Sequence, residues 1–199
     1  MIRVFHLFCK LNFKNISAID FFTQSMAELK VQDHKCSTCG SKHPDWERHA
    51  TYDRYLISFE KGHTVTYLII IIRYKCSSCG HTHAILPECI IPYQSYSLFF
   101  ILAVLRDYFG GTITVQNISE KYDISVTTLY AWKKLFLKQK KIWLGMLEDA
   151  YTLSSKFLNS FFTGNLIHNF REFFLTAGVS FLQRSIQSNK SYSVQVRSP

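Results

Sequence analysis

Four cysteines carry the clearest chemistry in this chain. Cys36 and Cys39 bracket two residues and run into Gly40, and Cys76 and Cys79 repeat the pattern before Gly80. A two-residue spacer lets one tight turn aim both sulfurs at a single ion. The glycine that follows can take φ > 0, so backbone N–H groups fold back toward the thiolates. Two such halves, separated by residues 40–75, have the spacing of a four-thiolate structural zinc site. The sequence therefore predicts one structural Zn2+ held by Cys36, Cys39, Cys76 and Cys79.

Disulfides are the competing use of these thiols. A bond inside a Cys-x2-Cys unit is a strained redox geometry, and bonds between the units require a secreted protein. Met1 to Phe13 is apolar but broken by Arg3, His6, Cys9, Lys10 and Asn12, with no small-residue cleavage pattern after it. The expectation is a chain of the reducing cytoplasm, with Cys9 and Cys89 as free, buried thiols. His34, His43, His81 and His83 lie near the cysteines but are not needed as ligands. Four thiolates leave the site at −2, a charge that Lys35, Lys42, Arg73 and Lys75 can offset.

Positioning these cysteines requires a small sheet. Arg54 to Phe59 is a short strand candidate, Lys61-Gly62-His63 a turn, and Thr64 to Tyr74 a β-branched and aromatic strand that runs into Cys76. A sheet that brings one knuckle from each end is a zinc ribbon, and its core is small enough that the metal should supply folding energy.

The rest reads as helices. Ala18 to Leu29 is a helical patch in an otherwise featureless N-terminus. After Pro87 and Pro92, Ser95 to Tyr108 is apolar nearly all round and is stopped by Gly110-Gly111, which predicts a buried scaffold helix. Val115 to Tyr122 is a short helix, Asp123-Ile124-Ser125 a turn with Ser125 as N-cap, and Val126 to Lys140 a second helix with Leu129, Trp132, Leu135 and Phe136 at core spacing. This order resembles a helix-turn-helix of the transposase and repressor kind. It departs from that pattern at Ser119, where a small apolar residue is usual, and at Asp123, where glycine is usual. Trp143 to Phe162 and Asn165 to Leu182 predict two aromatic-rich helices forming core or an oligomer face, followed by a frayed tail.

Charge points to a polyanionic partner. The chain has 199 residues, 47% of them hydrophobic and 19% charged, with net charge +9. From Ile124 to Leu147 five lysines (Lys133, Lys134, Lys138, Lys140, Lys141) face no acid. Thr127, Thr128, Tyr130 and Ala131 lie off the core positions of the second helix and are candidates for base edges. Lys133, Lys134 and Lys138 are candidates for phosphate or guanine. No apolar run approaches the ~20 residues of a membrane span.

Arg73 to Pro87, Tyr93 to Ser97 and Thr128 to Lys133 are similar to a family of small bacterial proteins, a transposase-like zinc-ribbon family of unknown function. The layout also resembles the N-terminal DNA-recognition region of insertion-sequence transposases. The resemblance covers about residues 35 to 185 and implies mobile-element ancestry. The carboxylates needed to hold two catalytic metals are missing: only Glu148, Asp149 and Glu172 follow Lys141, and adjacent side chains on a helix diverge by ~100°. The expected fold is α+β. Residues 1–34 form an N-terminal arm, 35–92 a zinc ribbon, 93–145 a helical region with the helix-turn-helix, and 146–199 the C-terminal helices and tail. The expected function is DNA binding without catalysis, nucleoid-associated, as a homo-oligomer or beside a separate transposase chain. The alternative is a protein-interaction module or the recognition subunit of a transposition complex.

Overall fold

The computed structural model describes residues 2–4, 17–146, 153–160 and 166–184. It is a mixed α and β fold. The β-strands are β1 (Ile2–Val4), β2 (Trp46–Glu60), β3 (His63–Cys76) and β4 (Thr82–Pro87). The helices are α1 (Ala18–Ala27), α2 (Leu98–Gly110), α3 (Val115–Tyr122), α4 (Val126–Met146), α5 (Ser154–Ser160) and α6 (Leu166–Ala177).

The sheet order is β1-β4-β3-β2, with β1 parallel to β4 and the other pairs antiparallel. Strands β2 and β3 form one long hairpin, from Trp46 opposite Cys76 to Glu60 opposite His63. Its two-residue turn places Lys61 at φ 50 and Gly62 at φ 88. Two successive left-handed residues match the twist of the flanking strands, and so close a hairpin tightly. β2 is 15 residues long, far more than the stretch from Arg54 to Phe59 that its sequence advertises. Its first half is exposed on both faces, so it lacks the apolar alternation by which a strand is read.

Side-chain alternation divides the hairpin. Leu56, Ile69 and Ile71 point inward to Leu86, Cys89, Ile90 and the buried Ala18, Phe21 and Phe22 of α1. Cys89 is fully buried there and forms no disulfide among the described residues, in line with its isolation in the sequence; Cys9 lies outside the described residues. On the opposite face Tyr55, Leu68 and Ile70 remain exposed. Residues 18–27 are thus no free arm. Glu60 Oε1 accepts the Ala18 N–H at 3.0 Å and fastens the start of α1 to the hairpin.

The other end of the hairpin enters the helical core. The Phe59 ring lies 4.4 Å from that of Tyr122, and Thr64 Oγ1 donates to the Tyr122 carbonyl at 3.0 Å. Helix α2 is the buried scaffold: Ser97 caps it by accepting the Phe100 N–H, and Gly111 ends it at φ 68. Leu98, Phe100, Ile101, Leu102, Val104 and Leu105 are all buried. Phe100 and Tyr96 pack against Trp132 of α4, with ring centroids 6.1 and 4.9 Å away.

Between α3 and α4 the chain turns at Asp123, which adopts φ 50, ψ 53. The Ile124 N–H donates to the Ser119 carbonyl at 3.1 Å and the Asp123 N–H to that of Glu120, closing the end of α3 in the Schellman manner. The Ser119 hydroxyl donates to the Ile124 carbonyl, which gives this serine a role an apolar residue would lack. Ile124 is buried, and Ser125 Oγ accepts the Thr128 N–H at 3.1 Å to start α4. Left-handed backbone costs an L-residue roughly 1–2 kcal/mol, least for Asp, Asn and Gly. Asp123→Val should therefore lose about 1–2 kcal/mol in urea unfolding while Asp123→Gly stays near wild type; a larger loss for glycine would refute the turn.

The expected second helix continues six residues beyond Lys140, and Trp143 on it anchors the C-terminal segments. Its ring lies 5.7 Å from Phe173, 5.7 Å from Phe170 and 5.1 Å from Phe181, so these aromatics are core. Gln139 Nε2 donates to the Gln183 carbonyl and its Oε1 accepts the Leu182 N–H, which ties residues 180–183 onto α4. Phe161, Phe162, Glu148, Asp149 and the tail lie outside the described residues.

Candidate metal centre and basic helix face

The two knuckles meet at the open end of the hairpin. Cys76 closes β3, and the segment carrying Cys36 and Cys39 leads into β2 through Trp46, whose Nε1 donates to the His34 carbonyl at 3.0 Å. The knuckles are built alike. The Cys36 N–H donates to the Ser41 carbonyl and the Gly40 N–H to that of Cys36, at 3.0 and 2.9 Å. The Cys76 N–H donates to the His81 carbonyl and the Gly80 N–H to that of Cys76, at 2.9 and 2.8 Å. Gly40 and Gly80 sit at φ 74 and 72, the conformation that the repeated glycine anticipates.

All four sulfurs lie within 4.8 Å of one another. Cys36 and Cys79 Sγ are 3.7 Å apart, and Cys39 and Cys76 Sγ 3.9 Å. A tetrahedron with metal–sulfur bonds of about 2.3 Å has edges of about 3.8 Å, so the cluster fits one tetrahedral cation. Cys36 and Cys76 are buried, Cys79 is half-buried and Cys39 exposed.

Burial pushes the Cys36 thiol up, but the backbone N–H groups of Cys39 and Thr38 and the neighbouring thiols outweigh it and bring it to about 5. At Cys79 the His81 backbone pulls downward, yet burial and sharing with Cys39, Cys76 and Cys36 hold it up at about 12. One thiolate is thus ready at neutral pH, and a bound cation must displace protons from its neighbours.

His83, one of four histidines near the knuckles, stands beside the cluster. It is buried, with Nε2 3.4 Å from Cys36 Sγ and Nδ1 3.3 Å from Ser37 Oγ, and it packs edge-on to Trp46. His43 and His81 are exposed and bond backbone carbonyls of Gln32 and Cys79 instead. Lys35, Lys42, Arg73 and Lys75 are all exposed.

Helix α4 divides its residues by face. Leu129, Trp132 and Phe136 are buried, while Thr127, Tyr130, Lys134, Lys138 and Lys141 are exposed at spacings of three and four, on one side of the helix. Three of the sequence candidates are not on that stripe. Thr128 is half-buried with its hydroxyl 2.8 Å from Ser125 Oγ, and Ala131 is half-buried. Lys133 turns back to α2, donating to Tyr108 Oη and lying 4.8 Å from that ring's centroid. It is held by π-electrons and a hydroxyl, which no charge count reveals. Lys141 takes its place on the free face, and the exposure pattern alone identifies it. Lys140 donates to Ser154 Oγ at 3.2 Å.

A domain of unknown function (DUF6431) matches residues 36–132, from the first cysteine of the cluster to the tryptophan that seats α4. No curated protein and no solved structure matches the chain. Among the described residues no helix is long and apolar enough to cross a membrane.

Proposed function

We propose that this is a DNA-binding protein without catalytic machinery of its own. Its four cysteines clasp one structural Zn2+ in a zinc ribbon, and α3 and α4 act as a helix-turn-helix. The observation that carries the reading is the free face of α4: Lys134, Lys138 and Lys141 share one exposed stripe with Thr127 and Tyr130, and no acid lies between Ile124 and Leu147. The helix-turn-helix gains support from the left-handed Asp123 and the buried Ile124 at the corner.

In this reading the lysines neutralise phosphates and release counterions, while Thr127 and Tyr130 near the helix start meet base edges in the major groove. Zinc suits the site because an all-sulfur tetrahedral set leaves no open position for substrate or water. The ion would hold the knuckles together and so brace the long hairpin that abuts Tyr122 at the α3–α4 corner. The resemblance to transposase recognition regions makes mobile-element ancestry the natural origin, with a second copy or a separate catalytic chain as partner. A protein-interaction role is the second reading, favoured by Tyr55, Leu68 and Ile70, exposed together on the outer face of the hairpin.

Fluorescence anisotropy on labelled duplexes across a salt series tests the proposal. Affinity should fall steeply as salt rises, and selection from a random pool should enrich a motif if bases are read. Absence of binding even at low salt would reject it.

A further inference from the structure

On the inner face of the sheet, lined by no residue of α4, lies an open cleft of about 620 Å³. Its floor is Tyr52 and Arg54 of β2, Arg73 of β3 and Thr82 of β4; Tyr93 and Gln94 form its rim. Among the described residues two arginines line it and no carboxylate does. That imbalance is unusual in a half-enclosed site, because buried charge is normally paired.

Arg54 is the more enclosed of the two. Its Nη2 donates to the main-chain carbonyls of Ile91 and Gln94. Both bonds use one nitrogen of the fork, and carbonyls orient a guanidinium without neutralising it. Burial accordingly pulls the Arg54 pKa below its ordinary value. Arg73 is exposed, and its Nη2 donates to Thr82 Oγ1, which holds the second fork on the neighbouring strand. Arg54 also hydrogen-bonds the Tyr52 side chain, so it is fixed in the cleft floor, whereas the exposed Arg73 fork retains donors beyond the one given to Thr82 and suits bidentate phosphate contact.

The walls add a second requirement. Tyr93 is 77% exposed and Tyr52 40% exposed, so both rings have open surface at the cleft. Tyr93 is also held at φ 64, a left-handed conformation that costs a tyrosine energy. Aromatic faces beside guanidinium groups suit a planar ring carrying a phosphate, and the volume is in the range of small-ligand sites.

We propose that the cleft binds a nucleotide, its phosphate on Arg73 with Arg54 adding positive charge from the floor, and its base against Tyr93. The same chemistry is available from a free mononucleotide or from an unpaired nucleotide at a DNA strand end. The site is separate from α4, so it does not depend on duplex binding by that helix.

Titration calorimetry with AMP, and anisotropy with a blunt duplex against the same duplex bearing a short 5′-phosphorylated overhang, test both sources. Arg73→Ala and Tyr93→Ala are exposed-site variants, and thermal melting verifies that they fold. Saturable AMP binding, weakened about tenfold or more in Arg73→Ala, would support the cleft with a free nucleotide as ligand. An overhang preference that Arg73→Ala or Tyr93→Ala removes would support it with a strand end as ligand. The double variant Lys134→Glu/Lys138→Glu should leave AMP binding unchanged, whatever it does to the blunt duplex. If wild type gains nothing from AMP or the overhang, or if both cleft variants bind as wild type does, the proposal is overturned.

Discussion

Cys36→Ser and Cys76→Ser should each lose the metal and unfold the end of the sheet that carries it. Both sulfurs are essentially inaccessible to solvent, at 1% and 0% exposure, and they pack with Ile2, Trp46 and Ile85 in a core too small to hold the knuckles alone. A structural zinc site contributes an apparent 10–16 kcal/mol, as much as the whole stability of an ordinary domain at about 5–15 kcal/mol. A serine hydroxyl does not replace the thiolate, so the loss should be close to complete. Metal analysis should find one zinc per wild-type chain and near none in either variant, with a matching fall in melting temperature. A chelator should do the same to wild type. Cys89→Ala is the control: it removes an equally buried sulfur but not a ligand, so zinc content should be unchanged. A Cys36→Ser protein with full zinc and wild-type melting would end the clasp reading.

The double variant Lys134→Glu/Lys138→Glu should abolish most duplex affinity without unfolding the chain. Both side chains are exposed, and among the described residues neither makes a hydrogen bond or an ion pair. Each phosphate contact contributes about 0.9 to the slope of log affinity against log salt, so the slope should shrink by about 2. Affinity should drop by about 100-fold near physiological salt, from two lost attractions and two new repulsions. Lys133→Ala discriminates between the sequence and the structure. Tyr108 holds that lysine, so its loss should lower stability slightly and leave the salt slope nearly intact. Were Lys133→Ala to flatten the slope while the double variant did not, the binding face would have been assigned to the wrong side of α4.

What could be read from the sequence is what depends on neighbours along the chain. The Cys-x2-Cys-Gly repeat specifies its own turn, and Gly40 and Gly80 adopt the conformation that repeat requires. The buried helix α2 shows in its unbroken apolar composition, and the α3–α4 corner in Asp123, Ile124 and Ser125. Asp123 takes the left-handed turn without a glycine because its short polar side chain tolerates that region. Ser119, polar where an apolar residue is usual, donates its hydroxyl to the Ile124 carbonyl and so closes the same corner.

Other features depend on partners far away in sequence. The polar half of β2 carries no strand pattern, yet it pairs because β3 offers a complementary edge. The short β1 beside β4, and α1 fastened to Glu60, need contacts that no local window contains. Lys133 and Lys134 are adjacent and chemically identical, but a turn of about 100° gives one to Tyr108 and leaves the other to solvent. Arg54 and Arg73 stand on different strands, and only their pairing through β2 and β3 brings two guanidinium groups to one cleft. The sequence by itself determined which atoms can hold a cation and which helix carries the lysines, since spacing and turn chemistry are local. Tertiary structure decided which lysines stay exposed and which arginines line one cleft, because both are set by long-range packing.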